Sequence, residues 1–531
     1  MSKLLRIHPD DDMLIALTDL AAGETLGCGN ETITTATPVA AKHKLATGDF
    51  AEGDVLRLYG VPVGKATRAI KRGEAIGCHN LRHYTAPVDV ESGTRYTWVP
   101  PDVERWRSTT FAGVVRKDGR IGTANYWLIF PLVFCENKSV EALRDALEGP
   151  LGYPTSPFED LTRDLLEQGP SASRTARRFP NVDGIRIITH TGGCGGTRAD
   201  ARSLCRVLAA YADHPNVAGI TVLSLGCQNA QIEMFRAALA ERNPKFDKPC
   251  FIFERQSSGR TEDMLRNAIK ATLEGLHIAN AAERRPVPLS ALKIGVKCGG
   301  SDGFSGISAN PAFGLVSDIA VALGGSAILA EFPELCGVEN ALIARCKNDA
   351  DRRRFLELMR AFEAKAKAVG SSFSDNPSPG NIRDGLITDA MKSAGAARKG
   401  GSSPFVAVLD YAEQTAQPGL ELLCTPGGDV EAVTGLVASG ANVVLFSTGL
   451  GTPTGNPIVP VLKVSTNSAI AEKLDDIIDY DCGPVISGAS LQSVAEGLFD
   501  LVVKTAGGQY RAKADRLRQD DFQFWKRDIS L

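Results

Sequence analysis

The sequence predicts an α/β protein: a small all-β section at the N-terminus, followed by two α/β sections with largely parallel sheets. Three observations carry this expectation. Residues 1–83 hold short strand-like runs separated by Gly-Asp and Gly-Glu turns. From 111 to 285, and again from 286 to 531, apolar β-branched runs alternate with stretches at helical spacing. No periodic repeat or low-complexity tract interrupts the pattern.

The elements follow in order. KLLRIHP, ETITTATPVA and DVLRLYGVPVG read as the short strands of the first section. Residues 84–110 are rich in Pro, Ser and Thr without periodicity and read as a linker. In the middle section ANYWLIFPLVFC, GIRIITH, VAGITVLSLGC and KPCFIF are strands. RADARSLCRVLAAYADH, NAQIEMFRAALAERN and EDMLRNAIKATLEGLH are its helices. A charged, proline-bearing bridge, AERRPVP, leads to the last section. There LKIGVKC, SAILAEF, FVAVLDY, LELLCTP and NVVLFST are strands, and NDADRRRFLELMRAFEAKAKAV is the clearest helix.

Composition excludes several classes of function. A formal charge of −3 over 531 residues argues against nucleic acid or an anionic membrane as partner. No run reaches a transmembrane length, and the N-terminus turns acidic before a signal peptide could form, so a cytoplasmic location is expected. Twelve cysteines without a CxxC pair read as reduced thiols, and Cys205, Cys336 and Cys346 read as packing residues.

Strand after strand ends in a small or reactive loop: THTGGCGGT, SLGCQNAQ, VKCGGSDGFSG, CTPGGD and FSTGLGTPTGNP. Ligands of open α/β sheets bind outside the carboxyl ends of strands, so these loops predict a polar, glycine-lined pocket. A P-loop and a dinucleotide fingerprint are both missing. Cys194, Cys227 and Cys298 each follow an apolar run and abut glycine, and His190 precedes Cys194 by four positions. Those four suit a borderline metal such as iron, or part of an Fe–S cluster, with packing as the alternative. Four of the seven histidines fall in the first 83 residues; His43 and His79 are the proton-exchange candidates. Among Asp302, Glu331, Glu334 and Asp429, each following a strand, Asp302 in the densest glycine loop is the preferred functional acid.

RIHPDDDMLIAL, KHKLATGDF and YGVPVGKATRAIKRGEAIGCHN resemble the SAF (β-clip) domain of the altronate dehydratase/galactarate dehydratase family. RKDGRIGTANYW, HTGGCG and HPNVAGITVLSLGCQNAQ resemble its middle section. CGGSDGFSGISANP, DNPSPGN, TPGGD and FSTGLGTPTG resemble its last. AEFPELCGVEN and FSTG place the chain nearer the altronate branch. The large part also resembles the big subunit of sulfolactate sulfo-lyase. Three positions depart from the family pattern: Gly77 for a histidine, Leu450 for an arginine and Gln228 for a glutamate.

The resemblance implies a hydro-lyase that dehydrates a sugar acid to a 2-keto-3-deoxy acid with ferrous iron, Mn²⁺ being a possible substitute. It gives acid–base or orienting roles to His43, His79, Lys44 and Asp302. Iron would lie at His190, Cys194, Cys227 and Cys298. The polyhydroxy acid would be gripped by Gly299, Gly300, Ser301, Asn310, Thr448, Gly449, Gly451 and Thr452. A galactarate-type dehydratase, a sulfolactate-type lyase and a non-catalytic sugar-acid-binding protein are the alternatives, and homo-oligomerisation is left open.

Overall fold

In the computed structural model, residues 2–29, 31–88, 96–154, 158–166 and 176–531 are described. The N-terminal section is all β. One antiparallel sheet runs in the order Leu4–Leu5, Met13–Ala16, Lys44–Ala46, Ala75–Ile76; a second pairs Val61–Ala66 with Val55–Leu58 and Leu81–His83. Leu4, Leu14, Leu20, Ile33, Val39 and Leu45 form a small core of the domain's own, but its second core is completed from outside. Met13, Leu56, Leu58, Val63 and Ile76 pack against Ile387, Ala390 and Met391 from the far end of the chain. Small domains bury too little apolar surface by themselves, and this borrowed helix supplies the remainder.

The middle sheet is parallel, ordered Gly184–Ile187, Tyr126–Pro131, Val217–Ser224, Cys250–Glu254. Every residue of the Tyr126–Pro131 and Val217–Ser224 strands is buried, as an internal parallel strand requires. Its helix Arg198–Asp213 shares a core with helix Asp429–Ala438 of the last section, and Tyr211 meets Phe522 edge to face at 5.1 Å. AERRPVP is not a free bridge. Arg284–Pro288 is a strand, antiparallel to Thr110–Val115. Pro286 and Pro288 are tolerated because this strand lies at the edge of its three-stranded sheet. The proline-rich segment before it is anchored too: Trp106 is buried and meets Phe499 at 5.1 Å.

The last section is built on seven parallel strands. Their order is Phe405–Leu409, Leu420–Leu423, Ser326–Leu329, Lys293–Cys298, Val443–Thr448, Val461–Ser465, Tyr480–Asp481. The chain starts in the middle at Lys293–Cys298, builds outward to one side, then returns beside its first strand at Val443–Thr448. The strand order therefore reverses between these two, and their carboxyl ends flank a crevice suited to a ligand.

Candidate active site

A cavity of about 550 Å³ opens at that reversal. Its walls include Cys298, Gly299–Ser301, Glu334, Lys392 and Asp429, with Pro333, Phe362, Phe373 and Leu450 as apolar lining. Cys298 ends its strand with the thiol buried at the cavity floor. Lys399 Nζ lies 2.7 Å from its sulfur, and the thiol faces Glu334 Oε2 at 3.3 Å.

Charges are packed tightly behind this thiol. Lys297 pairs with Glu331 and, at 2.9 Å, with Asp429. Lys399 pairs with Glu331 at 2.8 Å, and Lys392 with Glu334 at 2.8 Å. Three ammonium groups thus meet three carboxylates, and all but Asp429 are nearly or fully buried. Burial opposes ionisation of Glu334, but the Lys392, Lys297 and Lys399 ammonium groups outweigh it and pull its pKa down to about 2. Burial would likewise favour neutral Lys392, yet Glu334 holds it charged with a raised pKa. The Cys298 thiol is pushed up to about 12, chiefly by burial and against the pull of Lys399.

Two further features set this cavity apart from ordinary packing. Glu331 adopts left-handed backbone (φ 71°), costly for a side-chain-bearing residue and held here by a bond from its N–H to Thr425 Oγ1. Ser301 Oγ is buried on the cavity wall with no hydrogen-bond partner. Such an orphan hydroxyl is unfavourable unless a ligand satisfies it.

The glycines of the loop after Cys298 serve packing as much as ligand approach. Gly300 has φ 59°, and a Cβ there would meet Thr452 Oγ1 at 2.9 Å. At Gly303 a Cβ would collide with the Lys42 carbonyl, because the N-terminal domain docks on this loop. Asp302, expected to grip substrate, instead receives Lys42 at 3.0 Å and Thr466 Oγ1 at 3.1 Å. Lys42 also reaches Asp384, His43 Nε2–H donates to the Arg383 carbonyl at 2.9 Å, and Lys44 donates to Gly385 O at 2.5 Å. Burial brings Lys44 down to about 7, partly opposed by Asp302. This N-terminal loop is therefore fixed next to the pocket wall without lining it. His79 is exposed on a turn and is not part of the wall.

The four residues expected to hold iron do not come together. His190 is buried with both ring nitrogens engaged: Nε2–H donates to Pro131 O at 2.8 Å and Nδ1 accepts the Gly192 N–H. Burial lowers its pKa to about 4. Cys194 and Cys227 are exposed on neighbouring loops of the middle domain, apart from Cys298. Among the described residues the metal-competent group containing Cys298 is Cys298, Glu331 and Glu334, whose donor atoms lie within 4.8 Å of one another.

The substrate set divides in the same way. Gly299, Gly300 and Ser301 line the cavity. Asn310 is spent on Ser447 and Gly395, and Thr448 Oγ1 accepts the N–H groups of Gly451 and Thr452. Gly449 N–H goes to Gly300 O on the neighbouring loop, so these N–H groups are already used within the protein. Gln228 is likewise internal, bonded to Ser224 and the Gly226 N–H. Leu450, by contrast, stands on the cavity wall. Lys392 and Lys399 escaped the sequence reading. Their signal was two lysines seven residues apart in the otherwise small-residue run DAMKSAGAARKG, a spacing that puts both on one helical face.

A buried thiol, charge-balanced lysines and an orphan hydroxyl thus meet in one cavity at the switch point of a parallel sheet, where the ligands of such folds bind. Comparison with known proteins gives the family. The profile described as D-galactarate/Altronate dehydratase, C-terminal, matches residues 289–530. That of the D-galactarate dehydratase/Altronate hydrolase second domain matches 113–280, and the Altronate/galactarate dehydratase SAF domain matches 2–84. Altronate dehydratase of Escherichia coli (strain K12) is 33% identical over 512 residues, 95% of each chain. Altronate dehydratase of Bacillus subtilis (strain 168) is 35% identical over 485 residues, 91% of this chain and 90% of the relative. Galactarate dehydratase (L-threo-forming) of Escherichia coli (strain K12) is 30% identical over 519 residues, 96% and 94%. The chain belongs to the altronate/galactarate dehydratase family, a family of sugar-acid hydro-lyases.

Proposed function

We propose that this protein dehydrates an altronate-type aldonate to a 2-keto-3-deoxy acid in the Cys298 cavity. The observation that carries the reading is the juxtaposition of Asp429 and Lys392 on the wall of one pocket at the strand ends. Dehydration removes the weakly acidic proton at C2 and expels the C3 hydroxyl, so it needs a base on one side and an acid on the other. Asp429 is a cavity carboxylate partly open to solvent and steadied by Lys297. It takes the C2 proton. Lys392, kept protonated by Glu334, meets the departing oxygen, which leaves as water. The enol then tautomerises to the keto acid. Ser301 supplies its unpartnered hydroxyl to the substrate's polyol chain.

Ferrous iron, with Mn²⁺ as a substitute, is the cofactor of this reading. Cys298, Glu331 and Glu334 would hold it, one soft sulfur and two carboxylates of the kind a borderline divalent ion takes, with the Lys399 ammonium that now contacts Cys298 and Glu331 giving way; a single thiol does not match a thiolate-ligated cluster. Bound there, the ion would supply Lewis-acid polarisation of the substrate carboxylate. His43 is assigned an orienting role through the loop it fixes at Arg383. Leu450 gives one wall an apolar surface, which suits a substrate with one charged end and favours an aldonate over an aldarate. A cytoplasmic location and a small-molecule polyhydroxy acid as the partner complete the proposal.

The test is 2-keto acid formation from a panel of aldonates and aldarates after anaerobic reconstitution with ferrous iron. Product from altronate in preference to galactarate supports the reading. Ligand-dependent stabilisation without product from any acid would instead support a binding protein.

A further inference from the structure

Where the N-terminal domain meets the last section, three side chains from distant parts of the chain converge. His83 ends the strand Leu81–His83. Cys336 follows the turn Phe332–Leu335, and Asp389 opens the helix Asp389–Ala396. Their ligand atoms lie within 4.8 Å of one another. In sequence Cys336 reads as packing and His83 as one histidine among several; the fold brings them together.

Asp389 supplies the second observation. It is 1% exposed, and its carboxyl group finds no hydrogen-bond partner beyond the Cys336 thiol beside it. The nearby cation on its own helix, Lys392, is already committed to Glu334 and Asn376. Position in the first helical turn offers a favourable dipole, but that is worth only about 0.3–1 kcal/mol, less than a buried, unpaired carboxylate costs. His83 is similarly under-used: its Nδ1 meets the Ala390 N–H at 3.4 Å, long for a hydrogen bond. An imidazole, a thiol and an unsatisfied carboxylate in one half-buried junction are a donor set for a borderline divalent ion.

We propose that His83, Cys336 and Asp389 form a second metal site, distinct from the Cys298 pocket, which takes Zn²⁺ or another borderline divalent ion and pins the N-terminal domain to the last section. Binding releases to solvent both the Cys336 proton and the proton that burial keeps on Asp389, and pairs the thiolate and the carboxylate with the ion. Tetrahedral ligation at zinc-like bond lengths spaces donor atoms about 3.3–3.8 Å apart, so a modest contraction of the triad completes the site. A fourth position is left for water. This inference does not depend on the dehydratase reading.

Cobalt(II) titration of the metal-stripped full chain tests it, because thiolate-bound Co²⁺ shows a near-ultraviolet sulfur-to-metal charge-transfer band. Cys298→Ser removes the pocket thiol, so in that variant the remaining band reports the junction. The expected result is one equivalent of Co²⁺ with a thiolate band in Cys298→Ser, and loss of that band and equivalent in Cys298→Ser/Cys336→Ser. His83→Gln in the Cys298→Ser background serves as a second variant should the double substitution misfold; it should weaken binding at least tenfold. Added Zn²⁺ should raise the thermal midpoint of Cys298→Ser but not of the His83→Gln form. No thiolate band in Cys298→Ser, or a band that survives both further substitutions, would overturn the proposal.

Discussion

Replacing Lys399 with methionine keeps the aliphatic stem and removes one charge from the buried cluster. Lys399 is 1% exposed and joins Cys298 Sγ at 2.7 Å to Glu331 Oε2 at 2.8 Å. Three ammonium groups and three carboxylates become two and three, so Glu331, itself fully buried, is left with Lys297 alone. Removing one partner of a buried pair costs about 3–5 kcal/mol. With a urea dependence of about 3 kcal/mol/M, the unfolding midpoint falls by roughly 1 M or more. Glu331→Gln alone carries a similar penalty of opposite sign in charge. The double variant Lys399→Met/Glu331→Gln restores neutrality, so its loss should be smaller than the sum of the singles by about 2 kcal/mol or more. Additive losses would refute the view that charge balance in this cluster, rather than the packing of each side chain, stabilises the site.

Other outcomes follow from the same geometry. Asp429→Asn keeps the shape but removes the base, and kcat should fall at least about 100-fold; because Asp429 is the partly exposed member of the cluster and Lys297 keeps Glu331, its stability loss should be smaller than that of Lys399→Met, and the 2-keto acid assay and a melting curve check this together. Gly303→Ala forces a methyl group into the Lys42 carbonyl, so the N-terminal loop should lift from Asp302, with faster amide exchange across residues 40–44 and a loss of about 1–3 kcal/mol. Stability should also fall on acidification. His190 and His214 are buried neutral with pKa values lowered to about 4 and about 3, so between pH 6.5 and 4 the unfolded chain binds protons that the native state does not. Each then contributes about 2 kcal/mol of destabilisation by pH 5, absent above the unfolded value, and urea titrations at pH 7 and pH 5 measure the difference.

Much of this architecture was legible in the sequence because parallel strands buried on both faces must be apolar and β-branched. GIRIITH, VAGITVLSLGC and LKIGVKC announce themselves in that way. Arg284–Pro288 did not: an edge strand needs only half its backbone groups paired and carries no apolar run. The site was partly legible. Cys298 and Gly299–Ser301 follow from the rule that strand ends bind ligands. Asp302 misled because a carboxylate in a glycine loop looks the same whether it faces a substrate or Lys42, a residue 260 positions away. His190, Cys194 and Cys227 misled for a related reason: their loops sit at strand ends of a different sheet. Lys392 and Lys399 were hidden because a lysine in a helix is ordinarily solvated, and only the fold reveals that this helix is buried.

The measurement that bears most directly on the catalytic assignment is turnover of an altronate-type aldonate by Lys392→Met, reconstituted alongside the unmodified protein. Lys392 is the ammonium on the cavity wall, with Glu334 at 2.8 Å and Asn376 at 2.7 Å behind it. The account predicts a folded variant whose 2-keto acid formation falls at least about 100-fold, the loss expected when a general acid is removed. Turnover within a few-fold of the unmodified protein would contradict it and place the chemistry outside the Cys298 cavity.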